Sequence, residues 1–268
     1  MLQLLADAIE MIILAIDIGN SRTKLGVWKG KKLAGTLNVP GKKTSPKDIR
    51  HQVDRVLRQA GVQPDTLSGT VISSVVPHLR KRYSTIVKLF TQAGPLIVSS
   101  RLDVGLRILY RNPHALGADR ICGAVAAFHN YGGPVIVVDA GTAMTYNVIT
   151  KDGRFLGGAI FPGVYTAASA LHQRTARLPK IELRFPANVI GKTTVENLQS
   201  GILYGTIDAL DGMLKRIKKV TGRSTKVVLT GGYSSLIGNE MSAIGAIEPA
   251  LVLEGARLIY ERTRTSGN

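Results

Sequence analysis

The chain has 268 residues, of which 44% are hydrophobic and 20% charged, too apolar for a disordered tail or a fibre and long enough for two compact lobes. Lysine and arginine number 35 against 18 aspartates and glutamates, a net charge of +17 that favours anionic partners, from nucleotides to nucleic acid, without choosing among them. The single cysteine, Cys122, excludes an intrachain disulfide framework and a multi-cysteine zinc site, and fits a reducing, cytoplasmic setting.

The stretch before Met11 lacks a basic leader and is interrupted by Asp7 and Glu10, so it reads as an upstream extension and not as a signal peptide. No apolar run reaches the ~20 residues of a membrane span, and no membrane partner is expected. Residues 12–16 form a short apolar run, a buried strand that ends on the turn Asp17-Ile18-Gly19-Asn20-Ser21. Residues 23–29 and 32–37 read as a β-hairpin with a basic tip at Lys31 and Lys32. Ile49, Val53, Val56 and Leu57 recur at helical spacing and predict a helix over 46–60 that stops at Gly61. A strand over 69–75 and a helix over about 79–90 complete a βα pattern, and a small-residue helix follows over about 119–129.

A second round then begins. Residues 134–138 are an apolar strand, Asp139-Ala140-Gly141-Thr142 a turn, 143–149 a second strand, and 151–154 a polar hairpin tip. One plan is thus used twice: buried strand, Asp-x-Gly-x-Ser/Thr turn, second strand, hairpin. An Asp at a strand end, a Gly that lets a ligand approach the backbone, and a hydroxyl residue make a small corner able to bind anions and cations. A third apolar strand, 226–230, ends in Gly231-Gly232, and a terminal helix spans about 250–262.

Several motifs fail. No G-x-G-x-x-G follows the first strand, and Gly191-Lys192-Thr193 is only half a P-loop, with Pro186 where its first Gly belongs. His51, His78, His114, His129 and His172 show no ligand spacing, and Cys122 reads as packed, not reactive. The segment 110–120 is different: Pro113 and Gly117 deliver Asp119 and Arg120 side by side to a helix start. There the helix dipole and free N–H groups should hold Asp119 ionised, while Arg120 can fork to a carboxylate or phosphate.

Asp17-Ile18-Gly19-Asn20-Ser21, Ser73-Ser74-Val75-Val76-Pro77, Gly117-Ala118-Asp119-Arg120 and Asp139-Ala140-Gly141-Thr142 occur in that order. Gly157-Gly158-Ala159-Ile160-Phe161-Pro162-Gly163, Gly191-Lys192-Thr193-Thr194 and Thr230-Gly231-Gly232 follow. The series resembles type III pantothenate kinase, of the acetate and sugar kinase, Hsc70 and actin superfamily, over nearly everything from Met11 onward. The resemblance implies an α/β fold of two ribonuclease-H-like, actin-like ATPase lobes with a cleft between them. The lobes would be 11–130, with the first phosphate loop and acceptor motif, and 131–268, with the second phosphate loop and adenosine-side glycines. It implies phosphorylation of the primary hydroxyl of pantothenate by ATP with Mg²⁺, the first step of coenzyme A synthesis.

By position, the resemblance implies that Asp17, Ile18, Gly19, Asn20, Ser21, Arg22, Thr23 and Lys24 wrap the ATP phosphates, with Asp17 near Mg²⁺ and Thr142 a further ATP contact. It makes Asp119 the catalytic base, and Gly117, Ala118, Asp119, Arg120 and Tyr110 the pantothenate site. Asp139 would bind a monovalent cation, K⁺ or NH₄⁺, and Thr194 would reach substrate from the partner subunit of a homodimer. Two departures stand out: Asn147 lies where many members carry an acid, and Arg22 where smaller residues are common. Two other readings compete. One is a non-catalytic relative acting as a DNA-binding transcriptional accessory factor, which the charge would suit although Asp17, Asp119 and Asp139 are intact and no helix-turn-helix is apparent. The other is a sugar or acetate kinase, against which the Gly117 to Arg120 motif speaks.

Overall fold

A computed structural model describes residues 10–41, 44–91 and 93–265; most of the upstream stretch before Met11 and the last three residues lie outside the described residues. In chain order, β1 (Ile12–Ile18), β2 (Arg22–Lys29) and β3 (Lys32–Pro40) lead to α1 (Pro46–Gln59), β4 (Gly69–Ser74), α2 (Pro77–Val87) and β5 (Leu96–Ile97). β6 (Arg107–Ile108) and α3 (Ala118–Tyr131) come next, then β7 (Val135–Ala140), β8 (Ala143–Ile149), β9 (Arg154–Pro162) and α4 (Val164–Arg174). The chain ends with α5 (Thr194–Thr221), β10 (Lys226–Thr230), α6 (Ser234–Gly238), β11 (Ala246–Ile247) and α7 (Leu251–Thr265).

Two compact units result. The first holds the chain up to Gly105, Asn112–Ala126 and everything from Val252; the second holds Leu106–Arg111 and Ala127–Leu251. This division differs in three places from a cut between residues 130 and 131, the first being that residues 127–130 of α3 fall in the second unit. β6 joins the second unit because Arg107 and Ile108 pair in parallel with Arg154 and Phe155 of β9. The terminal helix joins the first: the Tyr260 hydroxyl donates to the Ser68 carbonyl at 2.9 Å, and a side chain at Gly255 would strike the backbone of Cys122.

The first unit's sheet has the order β3-β2-β1-β4-β5, antiparallel through β1, β2 and β3 and parallel across β1, β4 and β5. Strand alternation sends Leu14, Ile16 and Ile18 to one face, where they pack with Ile49, Val53 and Leu57 of α1 and Leu79, Tyr83 and Val87 of α2. Ile13, Ala15 and Asp17 therefore face the other way. α1 starts on a capping box, with Ser45 accepting from the Asp48 N–H and the Asp48 carboxylate from the Ser45 N–H, followed by Pro46.

The second unit repeats this order as β9-β8-β7-β10-β11 and adds β6 at the β9 edge. Ile136, Val138, Ala140, Val227 and Leu229 form its core with Leu203, Leu210 and Leu214 of α5. The sequence reading has no element for α4 or α5, although α5 is the longest helix described, with 28 residues. Its start carries a readable signal, the capping box of Thr193 and Glu196, and its buried Gln199, Leu203, Thr206, Leu210 and Leu214 repeat at helical spacing.

Candidate functional site

The first turn is built by parallel pairing. β1 and β4 place Asp17 beside Ser73, and alternation puts both on the face away from α1 and α2. Ser73, 0% exposed, donates its hydroxyl to Asp17 Oδ1 at 3.0 Å. The Val75 N–H extends the ladder to the Ile18 carbonyl at 3.1 Å, and the Gly19 N–H closes the loop on the Arg22 carbonyl at 3.0 Å. Behind it Gly41 donates to the Ser21 carbonyl at 2.9 Å. Asn20, Ser21 and Arg22 are exposed, Asp17, Gly19 and Lys24 half-buried, and the side chains of Ile18 and Thr23 buried in the interior.

The acceptor segment lies in the same unit. A short 3₁₀ turn, Pro113–Ala115, leads through buried Leu116 to Gly117 and the start of α3. Asp119 folds back on the first turn and accepts the Arg120 N–H at 2.8 Å. Any Cβ at Gly117 would collide with this carboxylate and touch Val75. Burial raises the Asp119 carboxyl above its ordinary value, outweighing the lowering by the Arg120 N–H and the Arg120 charge. The sequence expectation, that the helix start holds this acid ionised, misses that desolvation opposes and exceeds the N–H bond. A carboxylate of raised pKa is a stronger base.

One turn along α3 lies buried Cys122, close enough to feel the charge of both acids. Its thiol is pushed well above its usual range by burial first, then by the negative charges of Asp17 and Asp119. The first turn and the acceptor acid are thus neighbours within one unit.

The second turn is tighter. Gly141 donates to the Ala143 carbonyl at 3.2 Å, one residue closer along the chain than the Gly19 bond reaches. It is encased by glycines from later strands. Gly231, at φ 99°, leaves no room for a side chain against Asp139 Oδ1 and the Ala140 backbone, and Gly163 none against the Gly141 carbonyl. Gly163 N–H and the Thr166 hydroxyl both donate to the Thr142 carbonyl, at 3.1 and 2.6 Å, while the Thr142 side chain is exposed. Asp139 pairs in parallel with Thr230, whose hydroxyl is 1% exposed and has no hydrogen-bond partner among the described residues. Asn147, 1% exposed, donates to the Thr145 hydroxyl at 3.2 Å, a bond an ionised acid there could not donate.

The remaining predicted residues also fall in the second unit. Half-buried Tyr110 meets Phe155 edge-on at 6.5 Å and passes over Gly157. Thr194 is the exposed first residue of α5. Beside it, Val189, Ile190 and Val195 are exposed, Ile190 at 81%, on a segment fastened to α5 by Ser200 donating to the Val189 carbonyl and Tyr204 to the Pro186 carbonyl at 3.2 Å.

For a divalent ion, the described residues contain no group of three or more His, Cys, Asp or Glu. Mg²⁺ carried by phosphates needs only one or two carboxylates, which Asp17 fits. For a monovalent ion, the Asp139 carboxylate and the orphaned Thr230 hydroxyl at one strand end are suitable oxygen donors. Sequence reading quotes Ser73 and Thr230 only as parts of motifs and gives neither a role; the signal available was their pairing with an aspartate on an adjacent parallel strand.

The family model for type III pantothenate kinase matches residues 13–216. A type III pantothenate kinase from Roseiflexus sp. (strain RS-1) is 40% identical over 255 residues, 95% of this chain and 100% of that protein. Among solved structures, a Campylobacter jejuni protein described as a Baf family transcriptional activator superposes with TM-score 0.60 at 19% identity, covering 94% of this chain and 99% of that one. The activator of 2-hydroxyisocaproyl-CoA dehydratase from Clostridium difficile, with bound ADPNP, gives TM-score 0.58 at 12% identity over 96% and 97% of the two chains. These two likenesses concern the fold alone, that of the actin-like ATPases.

Proposed function

The chain belongs to the type III pantothenate kinase family and phosphorylates pantothenate with ATP in coenzyme A synthesis, and within that activity we propose that Asp119 is the catalytic base. The observation that carries this assignment is the Asp119 carboxylate itself, folded over Gly117, raised in basicity by burial, and neighbouring Asp17 across Cys122. Phosphoryl transfer through a loose transition state needs alignment of the nucleophile and neutralisation of phosphate charge more than covalent help. Asp119 fixes the primary alcohol by accepting its hydrogen bond and takes the proton as the bond to phosphorus forms. Arg120 forks to the pantothenate carboxylate, with Gly117, Ala118 and Tyr110 completing the acceptor site.

On the nucleotide side, the loop from Asp17 to Lys24 receives the phosphates. Its exposed Asn20, Ser21 and Arg22 and half-buried Gly19 and Lys24 are suited to touch them, whereas Ile18 and Thr23 act through their backbone. Thr142 is a second ATP contact. Asp17 is the protein's ligand toward Mg²⁺, which neutralises the phosphate oxygens when bound with ATP. Asp139, with Thr230, holds the monovalent cation.

The protein acts as a homodimer, so that Thr194 reaches the partner's substrate. Support comes from the surface: the exposed large apolar side chains among the described residues lie in the second unit, Leu89 excepted, and include Ile160, Phe161, Tyr165 and Ile190. Sedimentation should show a dimer, and Ile190→Glu with Ile160→Glu should give a monomer of low activity. The DNA-binding reading is not favoured by the family match, and no helix of the described residues is long and apolar enough to cross a membrane. Purified protein with ATP, Mg²⁺, K⁺ and pantothenate should form phosphopantothenate, and replacing K⁺ by Na⁺ should abolish most of it; absence of product under both conditions rejects the proposal.

A further inference from the structure

We propose that Ser73 is a positioning residue for the reaction: its hydroxyl, presented from the parallel neighbour strand β4, holds the Asp17 carboxylate in the orientation that receives the metal–nucleotide. The inference rests on the reading of Asp17 as the metal-facing acid. A serine has one hydroxyl proton, and Ser73 gives it to Asp17 Oδ1 at 3.0 Å. Ser73 is 0% exposed, so bulk water does not stand in for its hydroxyl.

The second unit supplies an internal control. At the equivalent strand-end position Thr230 stands beside Asp139, yet its hydroxyl has no partner among the described residues. A hydroxyl next to a strand-end aspartate therefore does not bond to it as an automatic result of the topology. In the first unit the bond is made, and Asp17 Oδ1 is committed to it. Fixing one carboxylate oxygen sets the direction of the other, which is how outer hydrogen bonds tune the affinity of a metal-facing ligand.

The test measures binding apart from turnover. Mn²⁺ with a non-hydrolysable ATP analogue is titrated into the full chain and followed by electron paramagnetic resonance. Ser73→Ala should weaken Mn²⁺–nucleotide binding about tenfold. It should raise KM for ATP and leave KM for pantothenate unchanged. A purely structural role for Ser73 would lower melting temperature without moving the Mn²⁺ titration, and an unchanged titration overturns the proposal. If Ser73→Ala does not fold, Ser73→Cys, a weaker donor of nearly the same shape, carries the same reading: several-fold weaker binding supports it, unchanged binding rejects it. Asp17→Asn separates the two levels. If it binds Mn²⁺–nucleotide like the parent, the metal role of Asp17 is wrong; if it loses binding while Ser73→Ala does not, only the role of Ser73 is.

Discussion

The two units run five strands in the same order and put an aspartate at the same strand end, yet they equip that aspartate differently. Asp17 is tied to a buried serine, and the next acid, Asp119, arrives close by on α3. Asp139 sits in a tighter turn walled by Gly231, beside a threonine hydroxyl that no described group satisfies. The difference teaches that topology delivers the acid, whereas the residue on the neighbouring strand and the helix behind it decide its task. In the proposed roles, the bonded carboxylate of Asp17 is held for a metal-bound phosphate, and the Thr230 hydroxyl beside Asp139 offers oxygen to a cation.

The largest effect expected from disturbing this arrangement is at the acid present in only one unit. Asp119→Asn should lower turnover by about 10³-fold, read as phosphopantothenate formation, while ATP-analogue affinity is kept. It should also melt higher at neutral pH. Unfolded, the carboxyl titrates near 3.8; folded, burial raises it, so above 3.8 the native state holds the proton longer than the unfolded chain. Stability therefore falls as pH rises through the folded pKa, the ionised acid is a net cost at neutral pH, and the variant's advantage should vanish below pH 3.8. A variant melting lower at neutral pH would contradict the burial argument.

Each unit also has a glycine pressed against its aspartate, and the pair should respond unlike one another. Gly231→Ala meets backbone of Ala140 at 2.6 Å from a residue at φ 99°, and should cost about 3 kcal/mol in denaturant unfolding. Gly117→Ala collides with the movable end of Asp119 and comes to ordinary contact with the Val75 side chain, so it should remain folded and lose about 10²-fold in kcat by displacing that carboxylate. Equal losses of stability in both would erase the distinction between a structural and a catalytic contact.

Smaller effects sharpen the hydroxyl comparison. Ser73→Ala should destabilise by about 1–2 kcal/mol because Asp17 loses a buried donor. Thr230→Val should instead stabilise by about 1 kcal/mol in Na⁺ buffer, since it removes a hydroxyl buried without a partner, and should lose whatever extra stability K⁺ confers on the parent. The smallest effect is expected at the α5 cap, where Thr193→Ala removes the acceptor for the Glu196 N–H and should cost about 1 kcal/mol without touching the turns.

Much of the fold was legible because its signals are local. Apolar runs closed by Asp-x-Gly turns mark β1 and β7, and the spacing of Ile49, Val53, Val56 and Leu57 marks α1. The start of α5 carries two overlapping local signals, because the capping box of Thr193 and Glu196 shares residues with Gly191-Lys192-Thr193, which looks like half a phosphate loop. The ownership of β6 and α7 was not legible at all. It depends on a two-residue parallel pairing and on glycines that admit a neighbouring backbone, contacts between segments tens of residues apart.

By itself, then, the amino-acid order determined the repeated strand-turn-strand plan, the identity of the acids and the family, since each is written in contiguous residues. Only the tertiary structure decided that Asp17 is bonded by Ser73, that the Thr230 hydroxyl finds no partner among the described residues, and that burial makes Asp119 a stronger base. The physical reason is that hydrogen bonding across parallel strands and desolvation depend on which distant segments come to lie around a group, and no local pattern encodes that environment.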